Sequence, residues 1–249
     1  MVSEPFDLVV DALGTRTPLS ERCGRELPYG ALWATLEACG FTGSELQQRY
    51  HRSSKMVGVL PIGRGDGGVQ RIAFFWSLRC DEFDRWQSTS LTTWKDEVEA
   101  LWPACEPLLA QISTHDQLTF ARYSHRTLSS PFKPAQIHLG DAWHSASPQL
   151  GQGANMALLD AWALACSLEQ AGSLPEALQL TIVLRRKHVR IYQWLTDIFT
   201  PVYQSDSVLL PFLRDWMVGP ISKMWPATRI QAAMVSGLVG DPLRSLGLE

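Results

Sequence analysis

No two cysteines in this sequence stand in a C-x-x-C pair. The five present, Cys23, Cys39, Cys80, Cys105 and Cys166, are odd in number and widely spaced. That argues against a disulfide framework or a cysteine zinc site and fits a reducing compartment, with the cytoplasm as the default address. A basic block is also missing: 22 Lys and Arg against 25 Asp and Glu leave a net charge of −3, so nucleic acid is not an expected partner. No apolar run approaches the roughly 18 uninterrupted residues of a membrane-spanning helix. Residues Met1 to Pro5 show no basic segment followed by an apolar one, so no secretory leader is expected. His138 and His144 flank Asp141, but no His or Cys pair has metal-ligand spacing, and no Ser-His-Asp or phosphate-loop pattern stands out. No metal is therefore expected, and no catalytic acid, base or nucleophile can be assigned.

What is present is enough for a packed core. The 249 residues are 45% hydrophobic and include ten tryptophans, which serve core and interface more often than chemistry. One stretch organises the rest. Ile137 and Leu139 read as a short strand that runs into Gly140-Asp141; a loop held by Pro148 follows, and Gly151-Gln152-Gly153 opens a helix apolar on nearly every side. The first amides of a helix lack internal partners and carry partial positive charge, which suits an anionic or electron-rich ligand. Gly151, Gly153 and Ala154 leave that backbone open to a flat ring. Asp141, at the end of the strand, offers acceptors to the hydroxyls of a sugar or sugar alcohol. For the glycine pair alone, a loop that binds nothing is an even alternative.

The run Gly140-Asp141-Ala142-Trp143-His144, then Pro148, Gly151-Gln152-Gly153-Ala154-Asn155, Asp160-Ala161 and Leu164-Ala165, resembles the second FAD-binding motif of the flavoprotein monooxygenases typified by para-hydroxybenzoate hydroxylase. The resemblance implies that Asp141 binds the ribityl chain of FAD. It also implies that Pro148 to Asn155 lie beside the isoalloxazine ring, with helix N-terminal amides at its pyrimidine end. Gly140, Asp141, Pro148, Gly151, Gln152, Gly153, Ala154 and Asn155 are thus the cofactor-binding candidates, and His144 shapes the loop. Trp143 stands where that family usually carries a smaller residue. Near the start, Phe6 to Gly14 reads as a buried strand followed by Thr15-Arg16-Thr17-Pro18, similar to the family's other motif. Leu13 replaces that motif's second acid, so only Gly14 and Arg16 carry over, for the cofactor diphosphate and the nicotinamide donor.

The family's G-x-G-x-x-G unit, which cradles the adenosine diphosphate half of FAD, does not occur after any predicted strand. The chain is accordingly expected to be the later part of a longer enzyme. The implied activity is FAD-dependent monooxygenation: NAD(P)H reduces the flavin, and O2 supplies the oxygen delivered to a small organic substrate, aromatic or polyketide-like. The alternatives are a flavin-dependent dehydrogenase or reductase sharing the motif, and a flavin-free remnant acting only as a binding partner.

The predicted fold class is α/β (α+β): an incomplete FAD/NAD(P)-binding Rossmann-like domain over 1–28 and 134–172, an antiparallel-sheet substrate domain over 29–133, and C-terminal helices over 173–249. Tyr29 to Cys39 is ambiguous between strand and short helix. Lys55 to Gly63 and Val69 to Leu78 alternate about Gly65-Asp66-Gly67-Gly68, which predicts a hairpin. Phe74-Phe75-Trp76 is apolar on both faces, so that strand is interior; Trp76 and Pro148 are the substrate-pocket candidates, against simple core packing. Leu91, Trp94, Val98 and Leu101 fall on one helical face between a Ser90 cap and Pro103. Leu118 to Tyr123 reads as a strand. Gly172 ends the motif helix, and Ser173-Leu174-Pro175-Glu176 has capping-box spacing at the head of a long helix. Its basic run Arg185-Arg186-Lys187-His188-Arg190 cannot occupy one helical face, so a solvated surface with one or two salt bridges is expected rather than a phosphate site. Val208 to Met217 and Ile221 to Leu238 predict two further helices split at Gly219-Pro220, whose apolar content suits packing against the core or a partner chain such as a second copy; the resemblance adds weak membrane-surface attachment, since some relatives in that family associate with membranes through this end.

Overall fold

A computed structural model of the chain describes residues 4–41, 43–218 and 224–248. Its strands in chain order are β1 (Val9–Asp11), β2 (Arg25–Glu37), β3 (Gln47–His51), β4 (Lys55–Arg64), β5 (Gln70–Arg79), β6 (Thr119–Thr127), β7 (Phe132–Lys133), β8 (Gln136–His138) and β9 (His144–Ser145). The helices are α1 (Phe83–Ser88), α2 (Leu91–Leu101), α3 (Glu106–Leu109), α4 (Gly153–Gln170), α5 (Leu174–Tyr203), α6 (Leu209–Leu213), α7 (Ala227–Val235) and α8 (Pro242–Ser245). They form two compact units, one of residues 1–26, 124–200 and 216–249 and one of residues 27–123 and 201–215.

The second unit is a sheet in the order β3-β4-β5-β2-β6, with α1 to α3 on one face. Hairpin β4–β5 turns through Gly67 and Gly68, both near φ 80°, a conformation that costs glycine nothing. Because side chains alternate across a strand, β5 divides its apolar residues between the faces. Ile72, Phe74 and Trp76 join Trp86 of α1 and Trp94 and Val98 of α2 in the main core. Phe75 points the other way, into a smaller cluster with Ala31, Met56, Trp33, Tyr50 and Tyr123. The ambiguous Tyr29 to Cys39 stretch is strand β2, pairing with β5 along nine residues from Tyr29↔Arg79 to Glu37↔Arg71. That pairing makes β5 the interior strand its sequence indicated. Strand β3 has no signal in the sequence, since Gln47–His51 carries little apolar alternation and lies at the sheet edge.

In the first unit β1 runs parallel to β8, with Val9 opposite Gln136 and Asp11 opposite His138, and β7 closes on β8 antiparallel. Ile137 and Leu139 pack against Met156 and Leu164 of α4 and Leu178, Ile182 and Val189 of α5. The last residues of β6, Arg126 and Thr127, belong to this unit and pair with Ser145 and His144. The turn between α4 and α5 departs from the expected capping box: Glu176 accepts from the Gly172 amide at 3.1 Å, one residue before the expected Ser173. Beyond α5 the chain is more broken than its periodicity suggests. The first predicted helix, Val208 to Met217, divides into α6 and a π-helical turn over Arg214–Val218; of the second, Ala227–Val235 is helical, with 219–223 outside the described residues. No helix among the described residues is long and apolar enough to cross a membrane.

Candidate cofactor site

Two buried aspartates hold the loops of the first unit in place. Asp11, at the end of β1, accepts from the Leu13 amide at 3.0 Å, the Thr17 hydroxyl at 2.7 Å and His138 Nδ1 at 2.6 Å. Burial alone would raise its carboxyl pKa; these donors hold it below the usual carboxylate value instead. The turn after β1 is thereby tied to the last residue of β8. Gly14 sits in that turn at φ 82° and accepts from the Thr17 amide, while Arg16 is exposed. The segment after Gly14 is fastened by Arg126, whose guanidinium donates to the Thr15 carbonyl at 2.7 Å and to the Ser20 hydroxyl.

Asp160, on the inner face of α4 and fully buried, is the second anchor. Its Oδ2 accepts from the Gly140 amide at 2.9 Å and from His144 Nε2 at 2.7 Å, and its Oδ1 accepts from Arg185 Nε at 2.8 Å. Here too burial would raise the carboxyl pKa, and the His144 and Arg185 contacts lower it. Arg185 passes the network on: Nη1 donates at 2.9 Å to Nδ1 of His188, whose Nε2 donates at 3.0 Å to the Gly237 carbonyl. A ring nitrogen facing a guanidinium must offer its lone pair, so this imidazole is neutral. Burial and the adjacent Arg185 charge push its pKa down to about 4. His138 and His144 are thus each engaged by an aspartate, and no group of three His, Cys, Asp or Glu side chains among the described residues could hold a metal ion.

These anchors leave a ledge at the head of α4. Gly140, at φ 53°, admits no Cβ without approaching Ala157 Cβ to 2.8 Å, so β8 and α4 meet at a glycine. The turn Pro148–Leu150 ends at Gly151 in the left-handed region, φ 65°. The first helical hydrogen bond of α4 runs from the Met156 amide to the Gln152 carbonyl, and no side chain caps the amides ahead of it. Asp141 is exposed at this ledge and has no hydrogen-bond partner among the described residues. The surrounding protein raises its carboxyl pKa, with His144 opposing. A Cβ at Gly153 would meet only Asp141 Oδ1, at 4.0 Å, and one at Gly151 would meet nothing. An open backbone with uncapped amides beside an unengaged carboxylate fits a ring bearing negative charge and a hydroxylated chain, the two ends of a flavin's riboflavin portion.

Gly140, Asp141, Gly151, Gln152, Gly153, Ala154 and Asn155 therefore lie along one loop and helix start, with Pro148 exposed in the turn before it. Gln152 and Asn155 are engaged: Asn155 Nδ2 donates to Gln152 Oε1 at 2.8 Å, and Gln152 Nε2 donates to the Val235 carbonyl at 2.5 Å. Trp76 lies in the other unit, 2% exposed in the helix-covered core. It borders a cavity of about 390 Å³ with Tyr29, Lys55, Arg79, Trp94 and Asp206. The opposite sheet face carries a second aromatic cluster, in which half-buried Trp33 stacks on buried Phe75 with centroids 4.9 Å apart. Sequence reading leaves Asp11, Arg126 and Gly237 without roles, because their partners are distant in sequence and no local motif marks them; it places Arg185 and His188 on a solvated surface, whereas both are buried in the Asp160 network.

The family model described as FAD binding domain matches residues 17–179. The chain belongs to this FAD-binding family. No curated protein matches it by sequence. Among solved structures it is similar to Klebsiella pneumoniae HpxO complexed with FAD and uric acid, with a TM-score of 0.73 at 19% identity over 95% of this chain and 61% of that one. It is also similar to PqsL, a probable FAD-dependent monooxygenase from Pseudomonas aeruginosa, with a TM-score of 0.67 at 18% identity over 84% of this chain and 59% of that one. A third is the tetrameric form of 2-methyl-3-hydroxypyridine-5-carboxylic acid oxygenase, with a TM-score of 0.64 at 19% identity over 96% of this chain and 60% of that one. The fold is the flavin monooxygenase type, and the chain spans about three fifths of the length of each of these proteins.

Proposed function

We propose that this chain is the substrate-side and second-flavin-motif portion of an FAD-dependent monooxygenase that uses NAD(P)H and O2 on a small aromatic organic molecule. The observation that carries the reading is the ledge at Gly151 to Asn155, with uncapped amides beside the unengaged Asp141 carboxylate. Bound FAD would supply hydride acceptance and oxygen activation. The chain's own residues do the positioning. Asp141 accepts from the hydroxylated chain, and the amides at the head of α4 favour negative charge on the ring's pyrimidine end. Gly14 and Arg16 lie on the diphosphate and nicotinamide side, and Pro148 lies on the substrate side. The half-buried Trp33, Tyr50 and Tyr123 on one sheet face support an aromatic substrate, since planar apolar side chains pack against a planar ring. HpxO with uric acid and the pyridine carboxylate oxygenase point the same way by analogy of fold.

Five free cysteines support a reducing compartment, the cytoplasm. Exposed Leu209, Phe212, Trp225 and Ile230 support contact of the C-terminal helices with a second copy or a membrane surface.

The test is the absorbance spectrum of the purified chain after incubation with FAD and desalting. Retained flavin bands, followed by oxygen-dependent NAD(P)H consumption stimulated by an aromatic substrate, are the expected results. Substrate reduction without oxygen would favour a reductase. A colourless protein, both alone and in an extended chain carrying a G-x-G-x-x-G unit, would overturn flavin function.

A further inference from the structure

The basic run on α5 divides into two populations. Arg185 and His188 turn inward to the Asp160 network, whereas Arg186, Lys187 and Arg190 face outward. Arg186 and Arg190 are one turn apart on the same face of the helix, so their guanidinium groups can converge on one ligand. Between them and the loop after β6 lies a cavity of about 310 Å³. Its walls include Trp143, Ile182 and Val189, its rim includes the Ser129 hydroxyl, and no carboxylate lines it. Neither guanidinium has an ion pair or a hydrogen bond among the described residues, and the Trp143 indole N–H has no hydrogen-bond partner among them either. Two unpaired arginines at a cavity with no acid in its lining are unlike the ordinary solvated face, where basic side chains are interspersed with acids.

We infer that this cavity is an anion-binding site, separate from the flavin ledge, that takes a small phosphate monoester with a flat apolar body. Two guanidinium groups one turn apart can share the three terminal oxygens of a phosphate dianion, each through a planar fork of donors. The body of the ligand would lie against half-buried Leu128 and the arginine stems, over a floor of Trp143, Ile182 and Val189, and Ser129 would donate one further hydrogen bond. Trp143, in the floor of the cavity, stands at the position where the resembling family usually carries a smaller residue. The inference does not rest on the flavin reading, because none of its residues contributes to the ledge.

The experiment is isothermal titration calorimetry of the full chain with phenyl phosphate, inorganic phosphate and benzoate at low ionic strength. Phenyl phosphate should bind with one-to-one stoichiometry and more tightly than either of the others, and its affinity should fall with added salt. Arg186→Gln with Arg190→Gln should weaken it at least tenfold, while Arg64→Gln, in the other unit, should leave it unchanged. Arg186 and Arg190 are both exposed, so the single variants carry the same test if the double variant folds poorly. The inference is overturned by no binding of phenyl phosphate, by benzoate binding as tightly, or by unchanged affinity in the arginine variants.

Discussion

The Asp160 carboxylate accepts the Gly140 amide on one oxygen and the Arg185 guanidinium on the other, so the turn after β8, α4 and α5 share a single buried charge. Both side chains are fully buried, and a buried charge that loses its partner is costly, on the order of 3–5 kcal/mol. Asp160→Asn should therefore lower unfolding free energy in urea by about that amount. Adding Arg185→Met to Asp160→Asn should restore part of the loss, because the unpaired cation is gone. If the double variant is as unstable as the sum of the singles, the pair is not energetically coupled.

His188 makes a pH-dependent contribution of known sign. In the native chain its pKa is pushed down to about 4, while in the unfolded chain it returns to near 6.5. Between those values the unfolded state binds more protons, so stability falls as pH drops from 6.5 toward 4, by at most about 3 kcal/mol, and loses nothing more from this group below that. The window lies above the range in which the lowered Asp11 and Asp160 carboxyls titrate; their stabilisation is lost only as pH falls below the unfolded value of 3.8. His188→Gln can still donate to Gly237 and accept from Arg185, so it should flatten the stability profile between pH 4.5 and 7. Chemical denaturation across that range would show an unaltered slope if His188 is not the group responsible.

The difference between what the chain reveals in sequence and in space follows the range of the interactions. The β4–β5 hairpin and α2 are local: alternation, a glycine turn and a 3–4–3 apolar spacing suffice to place them. The flavin ledge is also local, since Gly140 to Asn155 form one strand, one turn and one helix start. Its supports are not. Asp11 meets His138 across 127 residues, and Asp160 meets Arg185 across 25, so neither pairing leaves a periodic trace. The basic run on α5 could be divided into faces from helical geometry, but only the fold shows that Arg185 has a buried carboxylate and Arg186 an open cavity. The break-up of the C-terminal region was illegible for a related reason: the short helices α6 and α7 keep exposed apolar residues such as Phe212 and Ile230, so periodicity there does not report burial.

Asp141 separates cofactor binding from folding. It is exposed and without a hydrogen-bond partner, so Asp141→Ala should change unfolding free energy by no more than about 0.5 kcal/mol. Loss of a charged acceptor for a flavin hydroxyl is worth about 1.5–3 kcal/mol, so FAD affinity should fall by roughly ten- to a hundredfold. Fluorescence titration of FAD into wild type and variant measures this directly. Equal affinities would remove Asp141 from the site.

Gly237 carries the last constraint, where the chain after α7 returns to the ledge. Its φ is 78°, and a Cβ there would stand 2.1 Å from Asn155 Nδ2 and 2.5 Å from Gln152 Oε1. Those atoms end flexible side chains, so Gly237→Ala should be accommodated by breaking the Gln152–Asn155 hydrogen bond, with an added backbone cost of about 1–2 kcal/mol. The backbone and contact effects can be told apart with asparagine, which tolerates the left-handed region but carries the same Cβ. If the contact with Gln152 and Asn155 matters, Gly237→Asn will regain stability relative to Gly237→Ala yet retain FAD no better. Recovery of both properties in Gly237→Asn would mean that only backbone strain is at work and that the return of the chain onto the ledge does not shape the cofactor site.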